Sequence, residues 1–341
     1  MGRETLRFGV IGLGEFGVVY LASLAELRDV LDLQTVAVCS RSAARARELA
    51  ARYDVPRWYD DPSEFARDAE IDVVCVVTAE ADHTVPARAA LETGKHVIVE
   101  KPLATNLDEA DVLIATAARA GRQLLVGHLL RFAPLYRGIA ARVHAGQLGE
   151  IASLHTRRNR PGRAVARYRR THPVLETGIL DIDVMLWLTR SRVIRVSAVT
   201  RTINPGPTPD LVWGILEFAS GAVGVLETSW LAPVEGGVFT DDALSVVGTR
   251  GTARIDLSRA PAATWSASGY EVLDPFYSPA IGAEVAGAFR DQMISFITSI
   301  RAGRPNEQVP LADVRHGLAV ALALVRAGEE GRAIAPATTT A

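Results

Sequence analysis

The sequence predicts an α/β chain of two domains, a parallel sheet with crossover helices first and a strand-rich α/β domain after it. Three observations predict this. Short apolar runs alternate with amphipathic stretches up to Val126; a Gly-x-Gly-x-x-Gly turn follows the first run directly; and from Val193 onward strand patterns dominate. At 341 residues and 48% hydrophobic content, the chain is long enough to bury sizeable cores, and its length favours two domains over one.

The first domain is read as 1–125. Its apolar runs are Leu6 to Ile11, Leu33 to Cys39, Asp72 to Val77, His96 to Val99 and Gln123 to Val126. The helices between them carry their own boundaries. Ser42 caps Ala43 to Arg52; Asp61-Pro62-Ser63-Glu64 sets a cap, a first-turn proline and an acid in order; Asn106 precedes Leu107-Asp108-Glu109; Gly94 and Gly121 end their helices. A lone Gly-x-Gly-x-x-Gly is often just a tight turn. Here Gly12-Leu13-Gly14-Glu15-Phe16-Gly17 lies between a first strand and the helix Glu15 to Leu27, where glycines let a pyrophosphate approach the backbone at a helix amino terminus. That context makes 1–125 a Rossmann dinucleotide-binding domain. The end of the second strand reads Val38-Cys39-Ser40-Arg41-Ser42, with no acid for a ribose 2′-hydroxyl. Ser40 and Arg41, with Arg45 one helical turn on, suit a 2′-phosphate, so NADP(H) is favoured and NAD(H) is the alternative. Thr78, after the third run, is counted with the cofactor contacts.

The second domain is read as 126–332, with 333–341 as a loose tail. An amphipathic stretch to about Ala145 leads to a strand at Ile151 to Arg157. Ser220-Gly221 is a two-residue turn that pairs Leu211 to Ala219 with Ala222 to Trp230 antiparallel. Helices at Glu284 to Arg301 and Leu311 to Arg326 close the domain. Trp213, Trp230 and Trp265 fit sheet packing or an oligomer face better than a sugar platform.

The bulk numbers exclude several classes. A net charge of −2 and a pI near 6.4 provide no basic field for nucleic acid. The amino terminus leads straight into a strand, and no apolar stretch spans a bilayer, which predicts a cytoplasmic protein. Cys39 and Cys75 end apolar runs and read as buried reduced thiols, and the scattered histidines form no metal-ligand spacing.

Two features point to chemistry. The chain has two lysines, Lys95 and Lys101, against 35 arginines (37 basic residues minus two), and Lys101 sits in Glu100-Lys101-Pro102 directly after a strand. A lysine kept there suggests a compact ammonium of tunable pKa, able to stabilise oxyanion charge or deliver a proton. Between Arg157 and Arg170, seven arginines fall in fourteen residues with no acid among them. Arg160 and Arg163 in this stretch suit a diphosphate or carboxylate, as in a nucleotide sugar; a subunit interface or solvated loop is the plainer reading.

The glycine turn, the stretch Thr93-Gly94-Lys95-His96-Val97-Ile98-Val99-Glu100-Lys101-Pro102-Leu103-Ala104, and Gly127-His128-Leu129-Leu130-Arg131-Phe132 closely resemble the Gfo/Idh/MocA oxidoreductases. The resemblance runs nearly end to end, through Val247-Gly248-Thr249-Arg250-Gly251-Thr252 and Pro310-Leu311-Ala312-Asp313. It implies a second domain built on an open, mostly antiparallel sheet that often forms a homodimer or homotetramer interface, and NAD(P)-dependent oxidation or reduction of a carbohydrate or cyclitol carbon. It makes Lys101 the active-site lysine, has Glu100 and Pro102 shape its turn, and sets His83 near the nicotinamide. Where the family commonly has Asp-x-Gly-x-His, this chain has Glu176-Thr177-Gly178-Ile179-Leu180, so Leu180 stands at the histidine position. Helical spacing puts Glu176, Leu180 and Asp183 on one face, two carboxylates flanking an apolar group beneath Lys101, and His128, Arg131, Leu180 and Asp183 are counted with the substrate contacts. A leucine cannot shuttle a proton, which leaves Lys101 acting alone or with Glu176, His172, Tyr168 or His128. The expected function is hydride transfer at a hydroxyl or ketone carbon of a sugar, cyclitol or nucleotide sugar. The alternatives are glycoside cleavage by transient oxidation and a non-catalytic dinucleotide-binding regulator.

Overall fold

A computed structural model of the chain describes residues 5–161, 171–232, 241–258, 263–266, 269–272, 277, 280–281 and 284–338. They form two compact units, 1–129 with 277–311, and 130–276 with 312–341. The segment 277–311, which the sequence reading gives to the second domain, thus belongs with the first unit.

The first unit is a six-stranded, fully parallel sheet. In chain order its elements are β1 (Leu6–Ile11), α1 (Glu15–Leu31), β2 (Leu33–Cys39), α2 (Ala43–Arg52), β3 (Arg57–Tyr59), α3 (Pro62–Arg67), β4 (Val73–Val76), α4 (Thr84–Glu92), β5 (His96–Val99), α5 (Leu107–Ala120) and β6 (Leu124–Val126). Spatial order is β3-β2-β1-β4-β5-β6, the doubly wound arrangement, in which ligands bind at the strands' carboxyl ends beside the order reversal between β1 and β4. Helices cover both faces, so β4 and β6 are buried throughout and read as unbroken apolar runs. The caps lie where the sequence puts them. Ser42 accepts the Arg45 amide, Asp61 that of Ser63 and Asn106 that of Glu109, each contributing about 1 kcal/mol.

The returning segment carries α8 (Ala288–Ala302), which starts at Ala288 after Gly287, with φ of +83°, rather than at Glu284. It packs on α1: Phe289 lies edge-on to Tyr20 at 4.7 Å, and the Arg301 guanidinium donates to the carbonyls of Leu31 and, at 2.8 Å, Asp32. A cation there satisfies carbonyls that the end of α1 leaves open.

The second unit is a six-stranded sheet ordered β12-β11-β7-β10-β9-β8, with one parallel pair, β7 and β10, among antiparallel ones. Its strands are β7 (Ile151–Pro161), β8 (Val193–Arg201), β9 (Leu211–Phe218), β10 (Val223–Ala232), β11 (Asp241–Gly248) and β12 (Gly251–Asp256). Its helices are α6 (Pro134–His144), α7 (Ile179–Thr189) and α9 (Leu311–Glu330). Gly221, with φ of +89°, makes the turn between β9 and β10. Burial alternates along these strands: Leu154, Leu216, Leu226 and Leu244 face the helices, while Trp213, Ile215 and Val247 stand exposed on the other side. Trp230 is core, Trp213 stacks on His155 with centroids 6.0 Å apart, and the Trp265 side chain lies outside those described. The described part of the tail, 333–338, is tied down at Ile334, which is buried and exchanges two 2.8 Å backbone hydrogen bonds with Val196.

Candidate active site

The glycine loop has one crowded side and one open side. A Cβ on Gly12, whose φ is +96°, would stand 2.3 Å from the Val77 carbonyl oxygen, and one on Gly17 would stand 2.1 Å from that of Gly12. A Cβ on Gly14 would meet nothing within 4 Å. Gly14 is also the N-cap of α1 and makes no side-chain cap, so the loop suits a pyrophosphate drawn to the helix's amino terminus. Leu13 is buried, while Glu15 and Phe16 are exposed.

The three residues expected at a 2′-phosphate differ in their commitments. Arg45 braces the loop: its Nε donates to the Leu13 carbonyl at 3.2 Å and its Nη1 to Glu48 at 2.9 Å. Ser40 Oγ accepts the Ser42 amide at 3.3 Å. Arg41 is 84% exposed, with its Nη2 3.9 Å from Asp82.

Beyond β4, Thr78 donates to the Asp82 carbonyl at 3.0 Å. Asp82 closes a 3₁₀ turn, and His83 takes the N-cap position of α4. The His83 ring is buried between two carbonyls, with Nδ1 2.8 Å from Pro102 O and Nε2 3.2 Å from Thr78 O. Burial lowers its pKa although both carbonyls pull upward, and a neutral ring donates one N–H, best to the nearer Pro102. His83 thereby ties the end of β4 to the lysine turn.

That turn is built on a buried carboxylate. Glu100 Oε1 accepts the Tyr20 hydroxyl at 2.7 Å, and Oε2 accepts the Lys101 amide at 3.3 Å. A Cβ on Gly127 would stand 2.7 Å from Oε1, so this glycine makes the room Glu100 needs. Burial raises the Glu100 pKa, partly offset by Lys101 and the Tyr20 hydroxyl. Glu100 therefore points into the unit. Lys101 is half-buried, its bond to Pro102 is cis, and His128 is buried at the end of β6. Burial pushes Cys39 up to about 12 and raises Cys75 as well, so both stay protonated thiols.

In the second unit, α7 is preceded by a π-turn, Val174–Gly178. Its wider winding means the four-residue step from Glu176 to Leu180 is not one α-helical turn, so the single face expected for Glu176, Leu180 and Asp183 does not follow. Glu176 is buried, and Leu180 is half-buried in a stretch, Pro173 to Leu186, that is otherwise buried. Asp183 makes a buried two-point pair with Arg131, Nε to Oδ2 and Nη2 to Oδ1, both 2.8 Å, and Asp313 adds a contact at 3.0 Å. Burial would lower the Arg131 pKa, but the two aspartates raise it. Arg131 and Asp183, both read as substrate contacts, thus serve each other. His172 caps the turn: its Nδ1 accepts the Val174 amide at 3.3 Å, and burial pushes its pKa down to about 4. Its other nitrogen accordingly carries the proton, making His172 a donor rather than a base.

The described arginines of the basic stretch meet acids from elsewhere. Arg158 is buried against Asp181 (2.9 and 3.0 Å) and Asp242 (2.5 Å), with the Tyr136 hydroxyl at 3.3 Å. Arg160 holds Asp242, and Arg157 holds Asp241 at 2.8 Å. Burial raises Asp181 against the pull of Arg158. Removing a partner from such a cluster leaves a buried charge, at a cost of about 3–5 kcal/mol. Arg163 and Tyr168 lie outside the described residues. Sequence reasoning missed Tyr20, Tyr136 and the aspartates 181 and 242, because nothing local marks a residue whose partner is far along the chain.

A doubly wound sheet with an open glycine loop and a lysine turn at its carboxyl edge defines a dinucleotide-dependent oxidoreductase. Residues 6–128 match the model of the oxidoreductase family with an NAD-binding Rossmann fold, and 136–254 match the GFO/IDH/MocA C-terminal domain. The chain belongs to the Gfo/Idh/MocA family. It is similar to inositol 2-dehydrogenase 1 of Saccharopolyspora erythraea, at 29% identity over 96% of this chain and 95% of that one. It is 28% identical to scyllo-inositol 2-dehydrogenase (NAD(+)) of Bacillus subtilis over 73% of each chain. In structure it resembles a probable dehydrogenase of Thermotoga maritima, with a TM-score of 0.81, 25% identity, and 97% and 99% of the two chains covered. Among the described residues no helix is long and apolar enough to cross a membrane, and no cluster suits a metal ion.

Proposed function

We propose that the chain oxidises or reduces a ring carbon of a neutral cyclitol or sugar with a nicotinamide dinucleotide, using Lys101 as its catalytic group. The observation that carries this is the lysine turn: the carboxyl end of β5 held on buried Glu100, in the same sheet as the glycine loop. The relatives named for inositols support the substrate class. The pairing of Arg157, Arg158 and Arg160 with aspartates supports a neutral substrate over a nucleotide sugar.

Gly12 to Gly17 and the head of α1 would hold the pyrophosphate, and the nicotinamide, when bound, supplies or accepts the hydride. Lys101 manages the oxygen. As a hydroxyl carbon gives up hydride, its O–H proton leaves to the amine; in the reverse direction the ammonium stabilises the growing charge on oxygen and returns that proton. Ser40 and Arg41 favour NADP(H), with NAD(H) as the second cofactor. We place the enzyme in the cytoplasm, where its two buried thiols stay reduced.

The test is steady-state turnover with myo- and scyllo-inositol and neutral sugars, with NAD+ and NADP+. Turnover by wild type is expected, with a loss of about a hundredfold or more in a folded Lys101→Ala variant that still binds dinucleotide. Wild-type turnover in that variant would remove the lysine from the chemistry. Dinucleotide binding without turnover on any substrate would favour a regulator, and glycoside cleavage without net cofactor turnover would favour the lyase-like route.

A further inference from the structure

We propose that Tyr20 is a positioning residue for Lys101, acting through Glu100. This rests on the reading of Lys101 given above and assigns a role to a residue of the nucleotide-binding helix. Tyr20 is fully buried on α1, three residues beyond the last glycine of the loop. Its ring is fixed edge-on between Phe16 at 6.0 Å and Phe289 at 4.7 Å, so its hydroxyl has one direction to point. That direction is Glu100 Oε1, at 2.7 Å, while Glu100 Oε2 takes the Lys101 amide.

A buried carboxylate is costly unless donors surround it, and a hydroxyl donating to an ionised acceptor is among the stronger hydrogen bonds. Among the described residues, the groups facing Glu100 include Tyr20 from α1, Lys101 from its own turn, Cys75 from β4 and Gly127 just after β6. The Cys75 thiol is held neutral by burial and by Glu100, and Gly127 brings no charge. Burial and Glu100 likewise raise the Tyr20 phenol, which keeps it an O–H donor. Without that donor, Glu100 ionises less readily or turns away. Lys101 then loses both a negative neighbour that favours its ammonium and an acceptor for its amide. Helix α1 thus links the glycine loop to the reacting end of the site.

The chain's lysine count makes this measurable, because lysine labelled with ¹³C gives signals from Lys95 and Lys101 alone. In Tyr20→Phe, which removes one oxygen, and in Glu100→Gln, the Lys101 titration midpoint is expected at lower pH than in wild type, with Lys95 unmoved. The lysine-dependent limb of kcat/KM should follow it, and kcat should fall about tenfold, part of the roughly hundredfold loss of a missing proton-transfer group. KM for the dinucleotide should stay near wild type. The double variant should be no worse than Glu100→Gln alone, since the two residues act in series. An unmoved Lys101 midpoint in folded Tyr20→Phe, or additive losses in the double variant, overturns the proposal. If Glu100→Gln does not fold, Tyr20→Phe decides alone. Full activity in Lys101→Ala would instead overturn the underlying reading, an outcome distinct from a silent Tyr20.

Discussion

At the scale of single residues, the proposed preference for NADP(H) rests on Arg41. Its guanidinium is exposed at the end of β2, 3.9 Å from exposed Asp82, and such a surface pair holds weakly against a phosphate. A 2′-phosphate gives it a charge-assisted contact, so calorimetry should show NADP(H) bound about tenfold or more tighter than NAD(H), with the preference lost in Arg41→Ala. Asp60 and Asp61, close enough to raise Cys39, oppose this. Equal affinities in wild type would show that the acids prevail. Arg45 shows the limit of reading such residues from sequence. Arg41 and Arg45 look alike in the chain, yet Arg45 is tied to the Leu13 carbonyl. The basic stretch misleads in the same way, because Asp181, Asp241 and Asp242, which neutralise Arg157, Arg158 and Arg160, come 24 or more residues after it begins. Charge is legible in a sequence; the partner of a charge is not.

Elements are legible where their signal is local. Ser42, Asp61 and Asn106 each announce a helix start with their own side chains, and the glycine loop announces the strand before it and the helix after it. The π-turn ahead of α7 has no such marker, and it alters the faces on which Glu176 and Leu180 lie. His316 is another silent tie between elements: on α9, its Nε2 accepts the amide of Val193 at the start of β8, at 3.1 Å. Burial first, then Arg192, pushes its pKa down to about 4, below the ordinary 6.5 of an unfolded chain. Protons therefore favour the unfolded state. Stability is full above about pH 6.5 and is lost as pH falls toward 4, by about 1.4 kcal/mol per unit and roughly 3 kcal/mol in all. His172, also pushed to about 4, adds loss in the same window. His316→Gln keeps an acceptor for the Val193 amide without the titration, so its Tm should fall less than that of wild type between pH 7 and pH 4.5. An equal fall in both would show that the ring escapes to solvent when protonated.

At the scale of the whole molecule, the sequence conveys two domains but not their composition, since 277–311 returns to the first unit and nothing local records which unit a helix packs on. The second sheet poses the remaining question. Its far face exposes Val199 (69%), Trp213 (42%) and Ile215 (49%), neighbours on β8 and β9, with Val223 and Val247 further across. Scattered apolar residues are ordinary on a surface, whereas neighbouring ones on one sheet face suit an interaction site. A second copy of the chain is the partner we propose, giving a homodimer or homotetramer. Sedimentation velocity at micromolar concentration should show wild type larger than a 36.6 kDa monomer. Trp213→Glu with Ile215→Lys should sediment as a monomer, because charges that are solvated on a free sheet are costly to bury between two. Both positions point away from the helices, so the variant should keep its fold and its dinucleotide affinity. A monomeric wild type would leave the patch without this role, and a variant that loses dinucleotide affinity along with assembly would show that the second unit supports the first.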